Sequence, residues 1–139
     1  MKKLLKKLAV PALAAAILAP VFTDGNTAEA ASDSYSANFT VGVYLKDDSG
    51  NIQDYYLGGT QYFYASQWPQ YSGNPCGVKY QIKDYVWGGE DIVRKSNTQV
   101  GTFSNRKVDV SGPTGYHNVY LENYYSSSYR QYVSGTFNW

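Results

Sequence analysis

After residue 30, apolar side chains in this chain recur at every second position between clusters of turn residues, and no stretch sustains a helical period. Such alternation places one face of an extended segment in a core and the other in water. In "NFTVGVYL" Phe39, Val41, Val43 and Leu45 share a face, and "KDDSGN" at 46–51 stops the run with side chains that bond their own backbone. "IQDYYL", closed by Gly58-Gly59, and "TQYFYA" read as the next strands. The stretch 66–77, "SQWPQYSGNPCG", holds two prolines and two glycines without alternation. It reads as the longest irregular connection, and connections of that length are uncommon unless functional.

Val78, Tyr80, Ile82, Asp84 and Val86 then form one face of "VKYQIKDYVW", with Lys79, Gln81, Lys83, Tyr85 and Trp87 on the other. Weaker strands are expected at 91–95 and 98–104, and a clearer one at 106–111. In "YHNVYLEN" His117, Val119 and Leu121 alternate with Tyr116, Asn118 and Tyr120. The last strand sets Tyr129, Gln131, Val133, Gly135, Phe137 and Trp139 against an outward set of Arg130, Tyr132, Ser134, Thr136 and Asn138. Phe137 and Trp139 are thereby expected to close the core-facing side. Roughly seven to nine short strands at roughly 8–12-residue spacing predict an all-β protein, a single antiparallel β-sandwich, with a small closed β-barrel as the alternative.

"VDVSG", a tight turn at "GPTG" and then Tyr116 opening an alternating strand resemble the tyrosine corner of immunoglobulin-like sandwiches. The resemblance covers about a dozen positions and lacks the Cys-Trp-Cys framework of those domains. It implies an immunoglobulin-like architecture, with Tyr116 as the corner residue.

The first 30 residues differ from the rest. Lys2, Lys3, Lys6 and Lys7 precede an apolar run from Leu8 to Phe22, and "AEA" follows at 28–30. A basic start, a short apolar region and small residues at Ala28 and Ala30 are the marks of a secretory signal peptide cleaved after Ala30. The apolar run is shorter than the roughly 20 residues a bilayer needs and is interrupted by Pro11 and Pro20. The expectation is a secreted, extracellular domain at 31–139 with no stable membrane insertion.

Four of the 12 basic and two of the 11 acidic side chains lie in that leader, so the remaining 109 residues carry eight and nine, a net charge of −1. A balanced, interspersed charge argues against a nucleic-acid binder and against a cationic membrane-disrupting peptide. Cys76 is the lone cysteine, so an intrachain disulfide is excluded and a disulfide between two chains is the only pairing left to consider.

Catalytic groups are sparse. His117 is the single histidine, and one His with one Cys does not make a typical zinc site or a nucleophile-base pair. Glu90, Asp91 and Glu122 are the carboxylates that glycoside hydrolysis would need, but neighbours on a strand point to opposite faces. "DDSGN" lacks the spacing and terminal glutamate of an EF-hand loop and reads as a hairpin turn. The glycine pairs precede strands, not helices, and mark turns. Neither enzymatic activity nor a cofactor is expected.

Aromatic residues are the remaining signal: all 15 tyrosines and three tryptophans lie beyond the leader. Outward tyrosines raise strand propensity without any ligand. Rings in a long loop or beside a glycine pair are harder to assign to packing, which selects Trp68, Tyr71, Tyr85 and Trp87 as a candidate aromatic platform. Flat rings on a rigid scaffold suit stacking on sugars or docking on a partner. Three functions follow: a non-catalytic binding module for cell-wall or extracellular polysaccharide or a protein receptor, a bacteriocin-like toxin or enzyme inhibitor, and an extracellular matrix or surface assembly protein.

Overall fold

The computed structural model describes residues 31–139, so the expected leader, with Ala28 and Ala30, lies outside the described residues. Nine strands follow in order: β1 Ser32–Phe39, β2 Gly42–Tyr44, β3 Tyr55–Gly58, β4 Tyr62–Pro69, β5 Gly77–Asp84, β6 Ile92–Val100, β7 Phe103–Asp109, β8 Thr114–Asn123 and β9 Gln131–Asn138. Their pairing is nested. β5 pairs β6, β4 pairs β7, β2 and β3 pair successive parts of β8, and β1 pairs β9, all antiparallel. The chain is therefore one long hairpin whose tip is the turn at 85–91.

Rolling that hairpin brings β9 against β4 and β8 against β5, which gives two sheets, β1-β9-β4-β7 and β2-β8-β5-β6 with β3 beside β8. The result is a β-sandwich, as the alternation predicts, and it is not closed into a barrel. With β2 and β3 taken as one interrupted strand, this is the eight-strand order of a jelly roll. It differs from the immunoglobulin order, in which the first strand does not pair the last.

The core takes every second side chain from both sheets. Val78, Tyr80 and Ile82 of β5, Val119 and Leu121 of β8, Phe63 and Ala65 of β4, and Val133 and Phe137 of β9 are buried together. Trp139 is partly buried on the same side, stacked on Phe137 at 5.5 Å and edge-on to Tyr55 at 4.7 Å. The expected single run from Phe39 to Leu45 is two strands in different sheets. The chain crosses at Thr40-Val41, where Asn123 Nδ2 donates to the Thr40 carbonyl and Asn123 N–H to that of Val41, and Val41 is left exposed.

Tyr116 is not a corner residue. Val119 and Leu121 face the core, and Tyr116 lies an odd number of positions away, so the period of two turns it outward. It is 72 % exposed and sits opposite Tyr56 of β3, the two rings edge to face at 5.0 Å. Buried amides tie down the loops instead. Gln61 Nε2 donates to the carbonyls of Val110 and Pro113, and Gln131 Nε2 to those of Pro75 and Tyr129. Gln67, also fully buried, donates to the carbonyls of Gln99 and Gly101 and accepts from the Tyr80 hydroxyl in the other sheet.

Candidate binding surfaces

Tyr62, Tyr64, Ser66 and Trp68 have the opposite parity to the buried Phe63, Ala65 and Gln67, so β4 turns them out of the sandwich. The register with β9 sets Trp68 beside Tyr132, Ser66 beside Ser134, Tyr64 beside Thr136 and Tyr62 beside Asn138. β1 continues these rows with Asn38, Ser36, Ser34 and Ser32. The outer face of this sheet is a grid of hydroxyls and amides carrying four aromatic rings. Trp68 and Tyr132 stack at 5.9 Å with planes 11° apart, and Tyr62 meets Tyr64 edge to face at 5.4 Å.

The centre of this face bears no charge. Lys107 lies at its β7 margin with Nζ 4.2 Å over the Tyr62 ring, and Arg130 beyond the Tyr132 end donates to the Asn38 side-chain oxygen at 2.6 Å. Ser66 accepts from the Asn105 N–H, and the Asn138 amide donates to Thr136 Oγ1. Among the described residues the hydroxyls of Tyr62, Tyr64, Tyr132 and Ser134 have no side-chain partner, so their donors and acceptors are open to a ligand.

The outer face of the other sheet is built differently. Tyr44, Tyr85 and Tyr120 interlock, with Tyr44 5.6 Å from Tyr85 and 4.6 Å from Tyr120, and Lys83 Nζ caps the Tyr120 ring at 4.0 Å. The Tyr44 hydroxyl donates to Asp91, whose other oxygen accepts the Val86 N–H. Burial pushes the Tyr44 phenol up, and the carboxylate beside it pushes further; the same bond from Tyr44 and that from Val86 hold Asp91 below the usual carboxylate range. Lys79 pairs with Glu122 at 2.8 Å. These polar groups are spent on one another. A hollow of about 400 Å³ beside them is lined by Lys83, Tyr120, Glu122 and Tyr125.

The four-ring platform expected from the sequence does not form. β4 ends at Pro69 and the connection 70–76, shorter than expected because β4 absorbs its first residues, crosses to β5 in the other sheet. Trp68 and the exposed Tyr71 lie at that end, whereas Tyr85 and Trp87 follow the far end of β5, about 25 Å along the strand. Trp87 stands at the hairpin tip, 89 % exposed. Tyr62, Tyr64 and Tyr132, absent from the expected platform, are the rings that accompany Trp68. The signal for them was parity within "TQYFYA" and within the last strand; their meeting depends on the β4–β9 pairing.

The reactive side chains are occupied or covered. His117 holds Asp84 through Nδ1 at 2.6 Å and the Thr114 carbonyl through Nε2 at 2.9 Å. Burial works against ionisation of Asp84, but bonds from His117 and Arg94 outweigh it and keep the carboxyl below its usual range. Cys76 is a free thiol and only 6 % exposed. Burial pushes that thiol up, partly offset by hydrogen bonds with Thr102 and Gln67. The chain matches no family model, and comparison with curated proteins and with solved structures finds no match. A fold class alone assigns no function.

Proposed function

We propose that this chain is an exported, non-catalytic binding module that lays the outer face of the β1-β9-β4-β7 sheet against an extracellular or cell-wall polysaccharide. The observation that carries the reading is the contrast between the two faces. On one, Tyr44 and Asp91, and Lys79 and Glu122, are bonded to one another; on the other, Trp68, Tyr132, Tyr64 and Tyr62 stand in a grid of hydroxyls and amides with an uncharged centre, where the hydroxyls of Tyr62, Tyr64, Tyr132 and Ser134 have no side-chain partner among the described residues. A sugar polymer offers apolar ring faces bordered by hydroxyls, which matches rings for stacking and Ser, Thr and Tyr groups for donation and acceptance. A neutral surface suits a neutral polymer. The leader predicted at 1–30 supplies the route to it, and the engagement of His117 and burial of Cys76 favour binding over catalysis.

Pull-down on purified cell wall and insoluble polysaccharides, with tryptophan fluorescence for soluble fragments, tests the reading. Trp68→Ala and Tyr132→Ala are each expected to weaken binding about five- to tenfold, the loss of roughly 1 kcal/mol per ring contact. Trp87→Ala, in the turn between β5 and β6 and away from this face, should bind like the parent. Unchanged affinity in both face variants, or a loss confined to Trp87→Ala, would show that this face is not the site.

A further inference from the structure

The two open seams of the sandwich carry opposite charge. Residues 32–58, which supply β1, β2 and β3, contain Asp33, Asp47, Asp48 and Asp54 against the single base Lys46. Residues 92–109, which supply β6 and β7, contain Arg94, Lys95, Arg106 and Lys107 against the single acid Asp109. The net values are −3 and +3. β1 and β7 are the outermost strands of one sheet, and β2 with β3 and β6 are the outermost strands of the other. Each seam therefore combines two strand edges that pair no further strand with charge of one sign, although on the β6–β7 side the Asp109 and Gln99 carbonyls already accept from Asn97 and Gln67, and the two seams lie on opposite sides of the molecule.

An unpaired edge offers a row of backbone donors and acceptors to any other edge. Charge on the edge decides which partner it accepts. Two basic seams repel, and two acidic seams repel, so pairing of like with like is blocked; an acidic seam against a basic one is attracted. We propose that the protein associates with further copies of itself head to tail, the β1–β3 seam of one copy docking on the β6–β7 seam of the next. Most of the charged groups are exposed: Asp47, Asp48 and Asp54 on one side and all four bases on the other. Local partners reduce the basic seam only in part, since Arg94 holds Asp84, while Lys95 and Lys107 lie near Asp109. A contact between two different patches does not close on itself as a two-fold dimer does, so the assembly is open-ended. Laying β1 beside the β7 of a neighbour would also run the hydroxyl faces of successive copies into one surface.

The inference stands apart from polysaccharide binding, because assembly is read with no polymer present. Sedimentation velocity on the exported chain over a range of concentration is the test. At about 10 mM salt, where charges act over about 30 Å, species of dimer mass and larger should grow with concentration; at about 1 M salt, where the range is about 3 Å, they should disappear. Two variants sharpen it. Lys95→Glu with Lys107→Glu leaves two acidic seams, and Asp48→Lys with Asp54→Lys leaves a weakened, reversed seam opposite an intact basic one. Each is expected to remain monomeric alone, with the circular dichroism and urea midpoint of the parent confirming the fold. Mixed together they should associate, through the intact acidic seam of the first and the intact basic seam of the second. A parent that stays monomeric at low salt, association that salt does not weaken, or variants that assemble as well as the parent each overturns the proposal.

Discussion

Gln67 allows the strongest test of how the two sheets are held together. Its amide is fully buried on β4, donates to the carbonyls of Gln99 and Gly101 at 3.0 and 2.7 Å, and accepts from Tyr80 of β5 at 2.9 Å. One side chain thus joins both sheets and the β6–β7 turn. Gln67→Leu keeps the approximate volume but removes the three hydrogen bonds to Gln99, Gly101 and Tyr80, leaving the buried Tyr80 phenol and two partly buried carbonyls without that partner. At about 1 kcal/mol per bond, with the stranded groups adding to the loss and the more apolar leucine offsetting part of it, the expected cost is about 3 kcal/mol. Tyr80→Phe removes one bond and strands only the Gln67 carbonyl oxygen, for about 1–2 kcal/mol. In the double variant the phenol that Gln67→Leu strands is no longer there. The combined loss should therefore fall short of the sum by about 1 kcal/mol, well outside the roughly 0.5 kcal/mol within which independent sites add. Urea unfolding monitored by tryptophan fluorescence measures all three variants, provided the slope is unchanged. Additive losses would falsify the inter-sheet clip, because the Tyr80–Gln67 bond would then contribute nothing beyond two separate sites.

Other variants address packing, register and protonation. Deleting Trp139 removes the ring stacked on Phe137 and edge-on to Tyr55 and should cost about 2–4 kcal/mol in thermal or urea unfolding, while polysaccharide affinity of the folded fraction is unchanged. Gly135→Ala should lower stability by about 1–3 kcal/mol or more, since a Cβ there would lie 2.9 Å from the Tyr64 carbonyl carbon, closer still to its oxygen and 3.1 Å from the Ala65 Cα; a parent-like melting temperature would contradict that packing. Asp84 is held below the usual carboxylate range in the fold, so its pairing stabilises above the unfolded value near about 4 and is lost as pH falls through the lower folded value. Asp84→Asn should accordingly be less stable than the parent at neutral pH, with the gap narrowing in urea midpoints taken below about pH 4; a gap that widens in acid would reverse the assignment.

What could be read from the residues was local, and what could not was a matter of pairing. Parity within one strand is enough to put Val78, Tyr80 and Ile82 inward, and the fold agrees; the outward set expected with it holds only in part, since Gln81 is buried and the exposed Tyr85 and Trp87 lie beyond the end of β5. The same reading joined Phe39 to Leu45 in one strand, because an alternation does not reveal that the chain changes sheets between Thr40 and Val41. Tyr116 failed for a related reason. The turn chemistry before it suited a corner, while the parity of Val119 and Leu121 already placed it outside. Alternation already set Gln131 with Val133 and Phe137 on the core side, but nothing local to Gln61, Gln67 or Gln131 gives the distant partners, such as Val110, Gln99 and Pro75, that satisfy their amides inside the fold.

The proposed binding face shows where local and long-range information meet. Trp68 and Tyr132 are each outward by the alternation of their own strands, but they become one stacked surface only in the register that sets Ala65 against Gly135. A slip of one residue would send one partner's entire set of side chains to the opposite face. Gly135 is the point at which the two backbones approach too closely for any other residue, so the close approach that admits only glycine also favours the register. It follows that a substitution far from any ligand can damage the face. If Gly135→Ala is accommodated by shifting β9 against β4, its folded fraction should bind polysaccharide more weakly than Trp139-deleted protein of equal stability, because the first disturbs the alignment of Trp68 with Tyr132 and the second leaves it in place.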